Sequence, residues 1–464
     1  MYGRTRRIHF VGIGGSGMSG IAEVLLTMGY EITGSDLKAT DVTERLVRLG
    51  GRVFLGHEGS NIEGAQVVVT STAVQQDNPE VIAARAAEIP VIARAEMLAE
   101  LMRMKYGIAV GGSHGKTTTT SMVAAVFARG GLDPTIVVGG RLHALGSNAR
   151  LGHGAFLVAE ADESDGSFLR LAPAVTVITN IDREHLDHYK DLEEIQQAFV
   201  YFANRVPFYG VAILCGDDPG VCAVLPRLTK RHVCYGTGEM CEIHAHSIEL
   251  TATGSSFKVR SFGRELGLVE LQVPGRHNVL NALAAIAVGL EVEIGFGHIA
   301  ESLAGFRGVA RRFELRGEAL GVQVFDDYGH HPTEIAVTLA AARLRGSRVL
   351  VLFQPHRYSR TAALAQEFGA CFSDATRVWV LDIYPAGEAP MPGVTSARII
   401  EAARAVGAAH VEHASDAVQA VEALAREARP GDLVFTLGAG DVWRMGDAVL
   451  AQLRQRTPVA GGTR

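Results

Sequence analysis

Cysteine is scarce in this chain. The five present (Cys215, Cys222, Cys234, Cys241 and Cys371) are an odd number, four lie in one region, and none forms a CxxC pair. Zinc clusters need tighter spacing, so these residues are expected to be small buried or surface thiols. Long apolar runs are missing too: none approaches the roughly 20 residues of a membrane span. The first apolar segment, residues 8–13, runs into glycines rather than a leader cleavage site. A soluble, cytoplasmic protein with no membrane partner is expected. Nor is there an excess of positive charge. Lys and Arg total 44 against 50 Asp and Glu, a formal net charge of −6 with no long basic run, which argues against a nucleic-acid partner. What the chain does have is glycine, at 53 positions, and 47% hydrophobic residues, a composition that suits packed α/β domains with many strand-to-helix turns. At 464 residues it exceeds one core and should divide into about three domains.

The most informative stretch is Val110-Gly111-Gly112-Ser113-His114-Gly115-Lys116-Thr117-Thr118-Thr119-Thr120. A short apolar run over 107–110 precedes it, and Met122, Val123, Val126 and Phe127 follow at helical spacing until Gly130-Gly131. This reads as a strand, a phosphate loop and a helix. Glycines let backbone N–H groups turn toward an anion, and the helix N-terminus adds its positive dipole end. Lys116 reaches the terminal phosphates, and the Thr117 hydroxyl can ligate Mg²⁺. The pattern is shortened, with Val110 where the usual motif has glycine. A glycine turn that only caps a helix is the bland alternative, and the strand before and helix after count against it. A nucleoside triphosphate is expected on Gly112, Ser113, His114, Gly115, Lys116, Thr117 and Thr118.

The N-terminal segment carries Gly12-Ile13-Gly14-Gly15-Ser16-Gly17 after the apolar strand, then a helix over about 18–28 and a second strand over 31–33 that ends near Asp36. This is the dinucleotide fingerprint, with a pyrophosphate on the helix N-terminus and a ribose hydroxyl near Asp36. It supports the fold more than any one nucleotide. A buried strand over 67–73 carries Ser71 and Thr72 near its end; these either line the same crevice or only cap the next helix. A helix over 94–104 completes the segment.

Two strand exits beyond the phosphate loop are acidic: Glu160-Ala161-Asp162-Glu163-Ser164-Asp165, and Asn180-Ile181-Asp182-Arg183-Glu184-His185. One acidic turn would mean little, but two in succession behind a phosphate loop favour a bound metal. His185 alone would read as a packed or surface histidine. Short strands are expected over 211–214, 241–250, 256–260 and 270–273, followed by an apolar helix that reaches residue 290. Asn278 and Asn281 share a face of that helix; both amides can address one object, such as a base or its phosphates, or simply start the helix. From about residue 311, strands over 322–325, 349–353, 378–383 and 433–437 alternate with helices and end in polar clusters. The expected fold class is therefore α/β with three domains. They are an N-terminal Rossmann-like domain (1–104), a central P-loop ATPase-like domain (105–310) and a C-terminal Rossmann-like domain with a parallel sheet (311–464). The tail over 457–464 is expected to be disordered.

In this order the blocks resemble the Mur ligase family over nearly the whole chain. The resemblance rests on His9 to Gly20, the Ser113-His114-Gly115-Lys116-Thr117 loop, Glu160 to Asp165, the Asn278 and Asn281 pair, Asp326-Asp327-Tyr328-Gly329-His330-His331-Pro332, and Gln354-Pro355-His356-Arg357-Tyr358-Ser359-Arg360. For the alanine-adding branch of the family it implies an ATP-dependent ligase of peptidoglycan biosynthesis, joining L-alanine to the carboxylate of UDP-N-acetylmuramate through an acyl phosphate. The N-terminal loop (Gly14, Gly15, Ser16, Gly17, Met18), with Asp36 and Ser71, would then hold the UDP-sugar. Lys116 would meet the ATP γ-phosphate, Asn278 and Asn281 would face the adenine, and Arg312 and Asp327 would reach the nucleotide from the opposite side. Thr117 and Glu160 would ligate one Mg²⁺ and His185 a second. Tyr328, His330, Arg357 and Arg360 would line the amino-acid end, with Lys116, His330, Arg357 and Arg360 catalytic and His330 as the base. The implied assembly is a monomer or weak homodimer. Two departures stand out: Ser113 replaces the threonine of many relatives, and no lysine takes the place of the carbamylated lysine that several use near the metals.

Three other readings are open on sequence grounds. A dehydrogenase would account for the first glycine loop and Asp36 but not for the phosphate loop. A non-catalytic nucleotide switch would leave the polar strand ends of the third domain unused. A sister ligase that attaches a recycled peptide to the same UDP-sugar shares most blocks, and is separated mainly by Gly12-Ile13-Gly14-Gly15-Ser16-Gly17-Met18.

Overall fold

The computed structural model describes residues 5–71, 73–142, 147–186, 188–408 and 410–456. The tail over 457–464, Thr72 and the Ser16 side chain lie outside what is described. No helix among the described residues is long and apolar enough to cross a membrane.

Three sheets organise the chain. The first is wholly parallel, built from β1 (Arg7–Val11), β2 (Glu31–Asp36), β3 (Arg52–Leu55), β4 (Val67–Thr70) and β5 (Val91–Ala93) in the order β3-β2-β1-β4-β5. Strand order reverses beside β1, which opens the crevice where open α/β sheets bind ligands. The helix Ser16–Thr27 begins there, directly after the glycine loop. β2 runs three residues beyond the expected 31–33. Gly34 permits this, because a Cβ there would sit 2.6 Å from Ile13 Cδ1.

The central sheet has ten strands: β6 (Tyr106–Gly111), β7 (Thr135–Leu142), β8 (Ser147–Arg150), β9 (Phe156–Glu160), β10 (Val175–Ile178), β11 (Val211–Cys215), β12 (His232–Gly236), β13 (Ile243–Leu250), β14 (Ser255–Ser261) and β15 (Arg264–Leu271). Their order is β15-β14-β13-β12-β11-β10-β6-β9-β7-β8, with antiparallel pairs only among β13, β14 and β15 and between β7 and β8. β6 lies inside the sheet between β10 and β9. The register Val110↔Glu160 and Gly111↔Ile178 therefore brings both acidic strand exits beside the phosphate loop. β15 covers the expected 270–273 only at its C-terminal end; it is an edge strand whose Arg264, Glu265 and Glu270 face solvent, and of its apolar side chains only Val269 and Leu271 are buried.

The third sheet comprises β16 (Glu314–Ala319), β17 (Val322–Asp327), β18 (Val349–Phe353), β19 (Arg377–Val380), β20 (Val411–His413) and β21 (Leu433–Leu437), in the order β16-β17-β21-β18-β19-β20. It is parallel apart from β16 at one edge. β16 returns antiparallel through a two-residue turn in which Leu320 and Gly321 both have positive φ, 52° and 74°.

Packing joins the three domains unequally. Ile8, Phe10, Met97 and Leu101 of the first belong to the same continuous apolar core as Ala109, Ala159, Phe168 and Phe199 of the second. The two apolar clusters of the third draw only on residues from 313 onward. Its contacts with the central domain include polar ones: Thr333 to Asp182, Arg360 to Glu184, Arg183 to Glu367 and Arg345 to the Ala252 carbonyl.

Candidate active site

The phosphate loop owes its shape to two glycines. Gly112 has φ +128°, and a Cβ there would lie 2.0 Å from Thr179 Oγ1; Gly115 has φ +79°, and a Cβ would lie 2.7 Å from Asn281 Oδ1. Asn180 clamps the turn from the adjoining strand exit: its Oδ1 accepts the His114 N–H at 2.7 Å and its Nδ2 donates to the His114 carbonyl at 3.1 Å. Ser113 Oγ accepts the Asp182 N–H at 2.8 Å. Lys116 curls back to donate to the Gly112 and Ser113 carbonyls, at 2.7 and 3.1 Å, and to Glu163 Oε1 at 2.8 Å. Burial alone would lower the Lys116 pKa, but the carboxylates of Glu163, Glu184 and Glu160 outweigh it and raise the pKa above the usual lysine range.

Two groups of possible metal ligands flank that lysine. Thr117 Oγ1 donates to Glu160 Oε2 at 3.0 Å. On the other side Glu163, Glu184 and His185 bring one ligand atom each to within 4.8 Å of one another, and His185 Nε2 is 3.3 Å from Glu163 Oε1. The buried Glu163 Oε2 makes no hydrogen bond. A hydroxyl with carboxylate oxygens, one of them buried and unpaired, fits a hard divalent cation such as Mg²⁺. Of the residues expected to ligate metal, the structure pairs Thr117 with Glu160 and sets His185 against Glu163.

A cavity of about 840 Å³ opens between the central and C-terminal domains. Of the expected nucleotide residues, His114, Gly115, Thr118, Asn278, Asn281, Arg312 and Asp327 line it, whereas Gly112, Ser113, Lys116 and Thr117 are not on its wall. The two asparagine amides are partly engaged with their own surroundings. Asn278 Nδ2 donates to the Pro274 carbonyl at 2.7 Å, Asn281 Nδ2 donates to Asn278 Oδ1 at 3.1 Å, and Asn281 Oδ1 accepts from Thr119 Oγ1 at 3.1 Å. Asp327 accepts the Gly329 and Phe313 N–H groups, at 2.7 and 2.8 Å, yet burial pushes its carboxyl up to about 6. Arg312 donates to Glu334 at 3.1 Å and lies over the Tyr328 ring, its guanidinium carbon 5.2 Å from the ring centre.

His114 joins the phosphate loop to the third domain. Its Nε2 is 3.0 Å from Asp182 Oδ2, its Nδ1 faces Glu334 Oε1 at 3.6 Å and Glu184 Oε2 at 3.8 Å, and its ring is 4.7 Å from that of His331. Burial would lower its pKa, but the Asp182 hydrogen bond and the Glu334 and Glu184 carboxylates hold it up to about 10. Among the expected amino-acid residues, His330 and Arg360 converge on Glu184, at 3.6 and 2.9 Å. The His330 and Tyr328 rings meet edge to face at 5.3 Å. Arg357 stands apart, its Nη1 3.8 Å from Glu388.

The N-terminal glycine loop faces the same centre through a smaller cavity of about 260 Å³, lined by Gly15, Gly17, Met18 and Ser71 with Arg94, Glu160 and Asp162. Gly17 makes room for Arg94, since a Cβ would lie 2.6 Å from its Nη1. Asp36 accepts the Gly14 N–H at 2.9 Å, so it braces the loop. Sequence reasoning assigned no role to Arg94, Asn180, Asp182, Glu163, Glu184 or Glu334. Most of them lie in the acidic strand exits it had marked, but Lys116, the partner of Glu163, and Arg360, the partner of Glu184, are 47 and 176 residues away.

Comparison with known proteins bears on what this arrangement is. Residues 7–106 match the model of the Mur ligase family catalytic domain, 110–289 the Mur ligase middle domain, and 311–440 the glutamate ligase domain of Mur ligases. The chain is 56% identical over 456 residues to the UDP-N-acetylmuramate--L-alanine ligase of Geobacter sp. (strain M21), covering 98% of this chain and 99% of that one. It is also 56% identical over 458 residues to the ligase of the same name from Syntrophotalea carbinolica, covering 98% and 100%. Among solved structures, the UDP-N-acetylmuramate-alanine ligase of Thermotoga maritima aligns with a TM-score of 0.79 at 28% identity, over 96% of this chain and 98% of that one. With three domain models matched in order and relatives of this identity along nearly its whole length, the chain belongs to the Mur ligase family.

Proposed function

We propose that this protein is an ATP-dependent ligase that joins L-alanine to the carboxylate of UDP-N-acetylmuramate in peptidoglycan synthesis. The observation that carries the reading is the meeting of two glycine loops at Glu160, one in the nucleotide-sugar fold and one in the phosphate-loop fold. Identity of 56% to ligases named for this reaction supports it. The domains divide at 104/105 and 310/311. The N-terminal loop, with Gly14, Gly15, Ser16, Gly17, Met18, Asp36 and Ser71, holds the UDP-sugar and presents its carboxylate toward the phosphate loop. ATP lies in the larger cavity, its base toward Asn278 and Asn281 and its ribose end toward Arg312 and Asp327. The enzyme acts in the cytoplasm as a monomer or weak homodimer.

The chemistry follows from charge. A carboxylate is a poor acyl donor, so its oxygen attacks the γ-phosphorus of ATP, giving an acyl phosphate and ADP. The alanine amine then attacks the acyl carbon, and the tetrahedral intermediate expels phosphate. Lys116 offsets charge on the transferring group. Thr117 with Glu160, and His185 with Glu163, would hold two Mg²⁺ ions, which when bound neutralise phosphate oxygens. His330 Nδ1 is 3.0 Å from the Tyr328 carbonyl and donates to it. In the neutral ring that tautomer puts the lone pair on Nε2, which faces Glu184 Oε1 at 3.6 Å; there it can take the amine proton and the carboxylate can steady the resulting imidazolium. Arg357 and Arg360 receive the alanine carboxylate.

The test is phosphate release from ATP with UDP-N-acetylmuramate present, comparing L-alanine, glycine, L-serine and a short peptide. Release driven best by L-alanine is expected. Release driven only by the peptide would move the protein to peptide recycling, and release with none would sink the ligase reading.

A further inference from the structure

His331 and Asp182 face each other as acceptors across the seam between the central and third domains. His331 is only 3% exposed and caps the helix Pro332–Arg343, its Nδ1 accepting the Thr333 N–H at 3.3 Å. A nitrogen that accepts carries a lone pair and no proton. Yet the same Nδ1 is 3.6 Å from Asp182 Oδ2, another acceptor. His331 is buried and Asp182 partly so, and the single lone pair of Nδ1 is held only by the long Thr333 contact, so a cation placed between the two acceptors would draw it away from that N–H. Asp182 Oδ2 also receives Thr333 Oγ1 at 2.7 Å and lies 3.0 Å from His114 Nε2. His114, Asp182 and His331 each bring one ligand atom to within 4.8 Å of the other two.

We propose that these three side chains form a transition-metal site of the zinc class, which clamps the phosphate loop to the C-terminal domain. The donor set decides the ion. Mg²⁺ prefers six oxygens and keeps its waters, whereas two imidazoles with one carboxylate suit Zn²⁺ or Co²⁺. The spacing agrees, since ligands about 2.0–2.1 Å from a tetrahedral zinc lie roughly 3.3 Å apart, between the two measured separations. Outer partners are already in position: the Thr333 hydroxyl on Asp182, and Glu334 and Glu184 beside the far nitrogen of His114. Such carboxylate–imidazole pairs orient metal-bound histidines. The ion replaces the proton on His114 Nε2, which leaves to solvent.

The site spans two domains. His114 and Asp182 come from the central domain and His331 from the third, so the metal binds the closed arrangement and holds it. This is separate from the proposed Mg²⁺ ligands Thr117, Glu160 and His185, although His114 and Asp182 also line the cavity proposed for ATP.

The test uses the full chain, stripped with chelator and returned to excess Mg²⁺, titrated with Co²⁺ and then Zn²⁺. The expected result is one Co²⁺ per chain with the visible absorption of a four- or five-coordinate nitrogen and oxygen site, displaced by Zn²⁺, with about one proton released. His331→Asn keeps a side-chain acceptor for the helix cap while removing the imidazole. It should weaken binding by more than about tenfold, the loss that removing even an outer partner can cause. Asp182→Asn should do the same, and His185→Ala should retain Co²⁺ binding. Small-angle scattering should show Zn²⁺ compacting the wild-type chain but not His331→Asn. Absence of stoichiometric binding by the wild type, unchanged affinity in a folded His331→Asn or Asp182→Asn, or loss of Co²⁺ in His185→Ala would each overturn the assignment.

Discussion

At Lys116, three carboxylates outweigh burial and keep the ammonium charged, so its removal takes away a cation the fold has prepared. Lys116→Ala should lower the rate of phosphate release on the order of 10²–10³-fold, as loss of a prepared charge-stabilising donor does. UDP-N-acetylmuramate binding, measured calorimetrically, should stay nearly unchanged because the N-terminal loop is a separate element. Loss of that binding would count against the proposed division of labour. His114 makes a prediction of opposite character. Its folded pKa of about 10 lies above the ordinary histidine value, so its stabilising contribution is complete below about pH 6.5 and is lost as pH rises through 10. In chelator, the wild-type unfolding free energy should therefore fall across that window with a slope of up to about 1.4 kcal/mol per pH unit from this group, and His114→Gln should lack that component. An equal slope in both proteins would show that the Asp182 and Glu334 carboxylates do not act through His114.

Among elements, the phosphate loop is the one whose backbone is most tightly determined. Gly112→Ala places a methyl against Thr179 and holds alanine at a positive φ, so a loss of about 2–4 kcal/mol is expected from strain plus overpacking. Gly131→Ala, at φ +76° with nothing within 4 Å of the new Cβ, should cost only about 1–2 kcal/mol. Equal losses in urea unfolding would show that close packing is not what sets the loop. This element was also the most legible in the sequence, because a strand, a glycine turn and a helix are local signals over consecutive residues. β1 with its glycine loop, and the strands β17, β18 and β21, were legible for the same reason. β7, β8 and β12 were not, since β8 and β12 are short and all three owe their pairing to neighbours in a mixed sheet rather than to a local signal. β16 escaped notice as an antiparallel edge because Leu320 gives no glycine-like warning of its positive φ. The acidic exits were visible as composition. Which carboxylate meets Lys116 was not, because that depends on sheet register: β9 beside β6 aims Glu160 at Thr117 and leaves Glu163 for the lysine.

For the whole molecule, the uneven joints decide what can move. Exposed ion pairs such as Arg183 with Glu367 weaken in salt, while apolar burial does not, so rising ionic strength should release the third domain first. Differential scanning calorimetry should then show the N-terminal and central domains melting as one transition, with a smaller transition for the third domain that shifts down as NaCl is added. A single salt-independent transition would contradict this. The continuous core linking Phe10 and Leu101 to Phe168 and Phe199 has a further consequence, in terms of descent and engineering. Two domains that share one core must change together, since a substitution on one side is felt as a cavity or a clash on the other. A domain held by a small set of hydrogen bonds and ion pairs needs only to preserve those few partners. Exchange of the C-terminal domain between relatives, keeping Thr333, Glu334 and Arg360, should therefore yield folded chimeras far more often than a cut between the first two domains. New amino-acid specificities would be gained most readily along that boundary.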